Sequence, residues 1–152
     1  MKKQILFFSA ACLAILASCN SNTKNAEMKD SVEKFSMENA NCYKAISNTD
    51  TAILNFNQDG KHAFGEMAFK FKDKENTNGT IKGEFNGDTL FVDYTFKLNG
   101  KEFKNPQVFL KQGNNYIQGA GELEVYVGRT YFKKSVPINY KNGFVFEPTN
   151  CK

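Results

Sequence analysis

From residue 41 onward, apolar and polar residues alternate with a period of two, and short turn sequences recur at intervals of roughly ten residues. The turns are Asp59-Gly60, Asn78-Gly79, Asn86-Gly87-Asp88, Asn99-Gly100, Gly113-Asn114-Asn115 and Asn142-Gly143. Each supplies residues that tolerate a positive φ angle. Alternation interrupted by such turns is typical of antiparallel strands joined by tight hairpins, so the sequence predicts an all-β domain.

The turns divide this part of the chain into eight predicted strands. They cover residues 43–47, 50–58, 61–72, 79–86, 88–98, 101–111, 115–127 and 143–148. We expect an eight-stranded antiparallel up-and-down meander that closes into a small barrel, because closure removes the exposed edges of a sheet. A two-sheet β-sandwich is the alternative, since residues 128–143 alternate less cleanly and have room for an additional strand, and since Pro137 and Asn105-Pro106 interrupt the pattern.

Alternation also assigns the faces of the strands. The predicted inward residues are Met67, Phe69, Phe71, Ile81, Gly83, Phe85, Leu90, Val92, Tyr94, Phe96, Leu98, Ile117, Gly119, Gly121, Leu123, Val125 and Val127. Charged and polar residues such as Glu66, Lys82 and Glu122 occupy the outward register. An eight-stranded barrel encloses either packed side chains or one small ligand.

Two binding hypotheses follow from these faces. Glycines at 65, 83, 119 and 121 leave room opposite the Phe-rich strands, and a cavity there would suit an apolar or amphiphilic ligand. Its predicted lining is Phe69, Phe71, Phe85, Tyr94, Phe96 and Leu123. Small residues facing large ones can also interlock as a packed core. The second hypothesis is a protein-docking or inhibitor-type surface formed by large outward aromatics: Phe64, Phe91, Phe109 and Tyr126.

Residues for catalysis are scarce, so we expect a non-catalytic protein without a metal or other cofactor. His62 is the single histidine and follows a turn, and the chain has no Gly-x-Ser-x-Gly nucleophile motif. One histidine cannot build a histidine-based metal site, and no carboxylate cluster has the spacing of a calcium loop. Glu122 and Glu124 are about 7 Å apart on one strand, a separation found in inverting glycosidases, but they face outward without a cleft.

The first eighteen residues have the pattern of a targeting segment. Lys2 and Lys3 precede an apolar stretch, from Ile5 to Ala17, that is too short to span a bilayer. The end of this stretch and the two residues after it, Leu16-Ala17-Ser18-Cys19, resemble the lipobox of bacterial lipoproteins. The resemblance implies cleavage after residue 18 and acylation of Cys19, whereas an ordinary cleaved secretory signal is the alternative reading. Acyl chains on one residue would anchor the protein to a membrane.

The residues after Cys19 indicate where a lipoprotein of this kind would be located. Lipoproteins retained in the inner membrane commonly have Asp after the cysteine, and surface-exported ones have an acidic run, whereas this chain has Asn20 and no acidic run. The resemblance therefore implies the outer membrane, facing the periplasm. Residues 19–40 are expected to be a lipidated tether, with an r.m.s. reach of about 25 Å, and residues 41–152 the barrel domain.

Removal of residues 1–18 also affects charge and cysteine content. It leaves 18 basic and 16 acidic residues, a net charge of +2, which does not indicate a nucleic-acid-binding protein. Cys42 and Cys151 then remain as a pair, because Cys12 is removed and Cys19 is acylated. In an oxidising compartment they are expected to form a disulfide between the two ends of the domain, with two free thiols as the alternative.

The domain itself has a family resemblance. The segments GTIKGEFNGDTLFVDYTF and FLKQGNNYIQGAGE, with the terminal Cys-Lys, resemble a group of small, uncharacterised Bacteroidota lipoproteins over roughly residues 40–152. An eight-stranded meander behind a lipobox is similar to lipocalin-like (calycin) barrels. The chain contains no tryptophan and so lacks the Gly-x-Trp signature of lipocalins. The resemblance thus implies a fold and carries no ligand or site residue to this chain.

Overall fold

The computed structural model describes residues 35–151, which form a closed β-barrel and a separate two-stranded hairpin. The strands are β1 (Asn41–Ser47), β2 (Asp50–Asp59), β3 (His62–Lys70), β4 (Thr77–Asn86), β5 (Thr89–Leu98), β6 (Lys101–Gln112), β7 (Asn115–Gln118), β8 (Leu123–Tyr126), β9 (Arg129–Phe132) and β10 (Val145–Pro148). The barrel contains β1 to β7 and β10, and the hairpin contains β8 and β9. The predicted all-β fold is confirmed.

The barrel is an antiparallel meander whose last strand closes the ring. Strands β1 to β7 each pair with the next, and β10 pairs with both β7 and β1. The closed ring confirms the predicted eight-stranded barrel, and the alternative of a two-sheet β-sandwich is wrong. Tight turns hold the neighbours in register, as in the β5–β6 hairpin, where Asn99 and Gly100 have φ angles of 50° and 76°.

A disulfide lies at the point where the barrel closes. Cys42 on β1 is bonded to Cys151, with 5.3 Å between the two Cα atoms. The backbone N–H of Thr149 donates to the carbonyl of Cys42 at 2.8 Å, so the chain after β10 continues alongside β1. The predicted disulfide is confirmed, and it joins the first and last strands of the barrel across 109 positions of sequence.

Apolar side chains from all eight barrel strands, or from residues beside them, fill the interior. The buried cluster consists of Ala45, Ala52, Leu54, Phe56, Ala63, Met67, Phe69, Ile81, Leu90, Val92, Tyr94, Phe109, Tyr116 and Phe146, with Tyr43, Phe71, Phe85, Phe96 and Phe144 packed against it. The alternation of strands β3 to β5 therefore predicted their inner face correctly. The prediction was wrong on β6 and along the predicted strand 115–127, whose inward residues included Leu123, Val125 and Val127, all of them exposed.

On β6, the expectation that Phe109 faces outward is wrong. Phe109 pairs with Leu90 on the inner face and is completely buried. Its neighbour Val108 is also completely buried, on the outer side, where the N–H of Gly119 donates to the Val108 carbonyl at 2.8 Å. Because both faces are covered here, two consecutive apolar residues are buried and alternation cannot assign them.

The predicted strand at 115–127 is much shorter than expected. β7 ends at Gln118, and its inward residue is Tyr116, so Ile117 belongs to the outer register. The next residues leave the barrel: Ala120 forms two 2.8 Å backbone hydrogen bonds with Asn139. Predicted inward positions for Gly119 and Gly121 are also wrong, since a Cβ at either glycine would meet side chains of the 132–140 segment.

The chain that precedes β1 is attached to the barrel through Ser36. Its N–H donates to the side-chain oxygen of Asn57 at 2.8 Å, and the Asn57 amide donates back to the Ser36 carbonyl at 3.0 Å. A 3-10 helix, Met37–Asn39, then leads into β1. Cys19, the predicted signal segment 1–18 and most of the predicted tether lie outside the described residues. No helix within residues 35–151 has the length and hydropathy needed to cross a lipid bilayer.

Candidate functional site

The interior of the barrel is occupied by aromatic rings in mutual contact. Tyr94 and Phe96 are stacked with their ring centroids 4.8 Å apart, and Tyr43 meets Tyr116 edge to face at 5.0 Å. Phe109 and Phe146 form another edge-to-face pair at 5.5 Å. Separations between about 4.5 and 7 Å are those of packed aromatic pairs, so the interior resembles a protein core.

Five of the six predicted lining residues point into this interior. Phe69 and Tyr94 are buried in it, while Phe71, Phe85 and Phe96 pack against it and stay half-buried. The sixth, Leu123, was placed wrongly. It lies on β8, outside the barrel, and its exposed fraction is 52%. A ligand-binding role for the five interior residues stays a prediction.

The interior glycines create no empty space. A Cβ on Gly65 would overlap the carbonyl oxygen of Asn55, and a Cβ on Gly83 would overlap that of Phe91. The missing side chains therefore let the backbones of neighbouring strands approach each other where the sheet curves. The room that the sequence indicated at Gly65 and Gly83, opposite the Phe-rich strands, is occupied by the backbone of the adjacent strand.

The few polar groups near the interior are paired. The hydroxyl of Tyr94 donates to Thr77 at 3.0 Å, and the amide of Gln118 donates to Gln107 at 2.8 Å. In the described part of the chain, no buried side-chain nitrogen or oxygen lacks a hydrogen-bond partner. Burial raises the pKa of Tyr116 to about 12, with smaller contributions from Tyr43 and Asp88. The interior thus favours neutral side chains.

The residues considered for catalysis are dispersed over the outer surface. His62 is exposed at the start of β3, beside an ion pair between Lys61 and Glu84 at 2.8 Å that lowers the pKa of the Glu84 carboxyl. Glu122 pairs with Lys133 at 3.4 Å. Glu124 is exposed on β8, opposite Tyr131. Among residues 35–151, no group of three or more His, Cys, Asp or Glu side chains is arranged to hold a metal ion.

One surface cavity is lined by residues of β2, β3 and β4, most of them in the outward register. It has a volume of about 350 Å³. Its lining consists of Ile53, Asn55, Glu66, Met67, Ala68, Asn78, Gly79 and Thr80. None of these lining residues is aromatic.

The β8–β9 hairpin carries most of the large apolar residues that are exposed in the described part of the chain. They are Leu123, Val125, Tyr126, Val127 and Tyr131, against Ile46, Phe103 and Val145 elsewhere. The exposed fraction rises toward the tip, to 72% for Val125 and Tyr126 and 81% for Val127. All four residues of β8 are exposed. An apolar cluster of this kind on a protruding element is typical of an interaction site.

The turn of this hairpin has an unusual residue at its tip. Val127 and Gly128 have φ angles of 49° and 72°, the two positive values of a type I′ turn. Asn, Asp or Gly normally occupies the first position, because a β-branched residue is strained at positive φ. Val127 is exposed, so no contact among the described residues compensates for this strain. Strain of this kind is found most often at functional sites.

Contacts next to the turn and at the base hold the hairpin to other parts of the chain. Arg129 reaches Asp93 of β5 at 3.6 Å, and Lys104 of β6 holds the same carboxylate at 2.8 Å. The nearest atoms to a Cβ on Gly121 would be the side chains of Ile138, at 2.6 Å, and Phe132, at 2.9 Å. The Arg129 contact lies next to the turn and the contacts at Gly121 lie at the base, while the side chains of Val125, Tyr126 and Val127 stay exposed.

The structure brings together a site that differs from the predicted docking surface. Of the four predicted docking aromatics, Tyr126 is exposed on the hairpin, Phe64 and Phe91 are half-buried on the outer face of the barrel, and Phe109 is in the core. Sequence analysis missed the hairpin because Val127-Gly128 is not a recognised turn sequence. The clue that remained was Gly128 after an apolar stretch, together with the imperfect alternation of residues 128–143.

Comparisons with family models, with curated proteins and with solved structures found no significant match to this chain.

Proposed function

We propose that this chain is a lipid-anchored envelope protein whose barrel is a non-catalytic docking module, and that the β8–β9 hairpin binds another envelope protein. The observation that carries the proposal is the contrast between a barrel filled with packed rings and a hairpin that exposes Leu123 and Val125 on β8 and Val127 at its turn. A packed barrel leaves its outer surface for recognition, and the hairpin is the most apolar part of that surface.

The anchor in this proposal rests on the lipobox-like residues Leu16-Ala17-Ser18-Cys19. Acylated Cys19 would retain the barrel within the reach of its tether, about 25 Å, in the periplasmic leaflet of the outer membrane. Replacing Cys19 with Ser should release the protein from the membrane fraction. An unmodified mature N-terminus in the wild type would contradict the anchor and leave the docking proposal standing.

The shape and charge of the hairpin define its partner. The tip is convex and apolar, and within residues 125–130 the single charged residue is Arg129. A complementary protein would present an apolar groove with an acidic rim, because a convex apolar tip loses the most water when a concave surface receives it. An envelope enzyme inhibited by insertion of this tip is one partner of that chemistry.

Site-specific photo-crosslinking in intact cells tests the docking proposal. A photoreactive residue at Tyr126 should form one discrete protein adduct, and Val127→Asp in the same chain should abolish it, because a charge at the tip is costly to bury. Lys97, which is exposed on the barrel, is the matched control position. The same adducts from both positions, or none from Tyr126, would contradict docking through the hairpin.

A small apolar ligand inside the barrel is a second candidate, favoured by one observation. Phe71, Phe85 and Phe96 are half-buried rather than buried, so rings of the interior cluster reach solvent. Native mass spectrometry of protein purified from its own envelope separates the two candidates. A retained small molecule supports the interior site, whereas a retained protein with an empty barrel supports docking.

A further inference from the structure

The β8 strand has one unpaired edge. The N–H of Lys133 donates to the Glu122 carbonyl at 2.8 Å, so these two residues form a hydrogen-bonded pair at the base of the hairpin. Such pairs alternate along an antiparallel ladder, and therefore Glu124 and Tyr126 direct their backbone groups at β9. Leu123 and Val125 direct theirs to the opposite edge, where no described residue bonds to them.

This edge differs from every strand of the barrel. Each barrel strand has a hydrogen-bonded neighbour on both sides, whereas β8 has β9 alone. Exposed edges in natural proteins are usually protected by charged side chains, above all lysine, by proline or by a bulge, and the single charged residue of β8 is Glu124. The sequence of β8, Leu-Glu-Val-Tyr, contains neither lysine nor proline, and its pairing with β9 has no bulge. Its Val and Tyr favour extended structure, so β8 is well suited to accept another strand.

We propose that β8 pairs antiparallel with β8 of a second copy of this chain, with Val125 opposite Val125. In this register Glu124 lies opposite Tyr126, and Leu123 lies beside the Val127-Gly128 turn of the second copy. No like charges face each other, and the Glu124 carboxylate can accept a hydrogen bond from the Tyr126 hydroxyl. The neighbouring register, with Glu124 opposite Glu124, would place two carboxylates together and is disfavoured.

The pairing produces a four-stranded sheet from two hairpins. Leu123 and Val125 share one face of β8, so each copy contributes two aliphatic side chains to one continuous stripe. This inference concerns the edge of the hairpin, whereas the docking proposal concerns its faces, so either can fail without the other. If both hold, the sheet presents twice the apolar face of a single hairpin to the docked protein.

The interface of two short strands is small, and we expect a weak dimer. Interfaces below about 1,200 Å² belong to transient complexes. Attachment to one membrane surface would raise the local concentration and compensate for the weak affinity. In solution the dimer should form below about 1 mM chain.

Charge exchange at Val125 tests the register. The sample is the mature chain, residues 19–152, carrying Cys19→Ser so that no lipid contributes to association. Sedimentation equilibrium up to about 1 mM should show a monomer–dimer equilibrium. Val125→Lys and Val125→Asp should each raise the dissociation constant at least about tenfold, because like charges then lie opposite each other, and an equimolar mixture should restore the dimer as a heterodimer.

A backbone substitution tests strand pairing independently of side-chain charge. Val125→Pro removes an N–H from the free edge and none from the ladder with β9, so it should abolish the dimer, whereas Val125→Thr retains the N–H and should retain pairing. Near-ultraviolet circular dichroism checks that the barrel is intact in each variant. A wild-type chain that stays monomeric at 1 mM, a dimer insensitive to Val125→Pro, or a mixture that fails to associate would overturn the proposal. Loss of the dimer with persistent crosslinking from Tyr126 would leave the docking function in place.

Discussion

Two hairpin turns of this protein, Asn99-Gly100 in the barrel and Val127-Gly128 at the tip of β8–β9, have the same backbone conformation and different residues. All four have φ angles between 49° and 76°. Asparagine adopts this conformation with little strain, whereas valine does so only where something else requires it. The barrel turn is optimised for folding. The tip places an apolar side chain in solvent at an energetic cost, as expected of a contact residue.

The strands that flank these turns differ in the same way. On β5 the alternating residues Leu90, Val92 and Tyr94 are buried, whereas on β8 the alternating residues Leu123 and Val125 are exposed. Alternation therefore indicates that a strand pairs with a neighbour and has one apolar and one polar face. Whether the apolar face is covered depends on what packs against the strand, and Leu123 and Val125 stay exposed although Arg129 of the same hairpin contacts Asp93 of the barrel.

The largest effect should come from Phe109, which belongs to the barrel, compared with Tyr126, which belongs to the hairpin. Phe109→Ala should lower the free energy of unfolding by about 3–5 kcal/mol, because it leaves a cavity among packed rings. Tyr126→Ala should change it by less than about 0.5 kcal/mol, as for an ordinary surface site. Urea unfolding monitored by circular dichroism measures both. Equal losses of unfolding free energy in the two variants would contradict the assignment of Phe109 to the core and Tyr126 to the surface.

Alkaline pH should destabilise the barrel through Tyr116. Burial raises the pKa of this phenol to about 12, so folding favours its neutral form. The resulting stabilisation is fully present below the unfolded value of about 10 and is lost as pH rises through 12, by roughly 2–3 kcal/mol. Urea unfolding between about pH 9 and pH 12 measures the loss. Tyr116→Phe should lose less unfolding free energy over this pH range than the wild type does. If the two proteins have the same pH dependence, the loss comes from other tyrosines.

Glycines of the two regions should respond differently to a methyl group. Gly83→Ala in the barrel should cost about 1–3 kcal/mol, because its Cβ meets the backbone of Phe91 and Val92, which cannot move without breaking the sheet. At the base of the hairpin, the Cβ introduced by Gly121→Ala would meet only side-chain atoms of Ile138 and Phe132, which can rotate. This substitution should lower the free energy of unfolding by less than about 1 kcal/mol. Thermal unfolding of both variants measures the two losses of stability. A Gly83→Ala variant as stable as the wild type would indicate space inside the barrel.

The smallest effect is expected from exchanging the two turn residues. Val127→Asn should relieve about 1 kcal/mol of local strain, and Asn99→Val should introduce a similar amount. Since the hairpin can open without the barrel, the gain should appear as roughly fivefold slower hydrogen exchange of the Arg129 amide. Slower exchange together with weaker crosslinking from position 126 would show that the strained valine serves contact. Faster exchange would contradict the strain.

The candidate site was less predictable than the fold. Tyr126 was expected to be exposed, and it is, but Leu123 was assigned to the interior because its strand seemed to continue from β7. Nothing local marks the point at which the chain leaves the barrel. Gly119 and Gly121 read as inward small residues in the sequence, and only their contacts with residues 132–140 show that the chain folds back there.

Local chemistry by itself determined the number of barrel strands, their antiparallel order and the closing disulfide, because alternation, turn residues and cysteine positions act over a few neighbouring residues or at the ends of the domain. The tertiary structure decided the rest. It ended β7 at Gln118, buried Phe109, filled the space at Gly83 with the adjacent strand and placed Val125 and Val127 in solvent. These outcomes depend on which surfaces meet across the molecule, and a pattern with a period of two residues is the same whether its apolar face is covered or free.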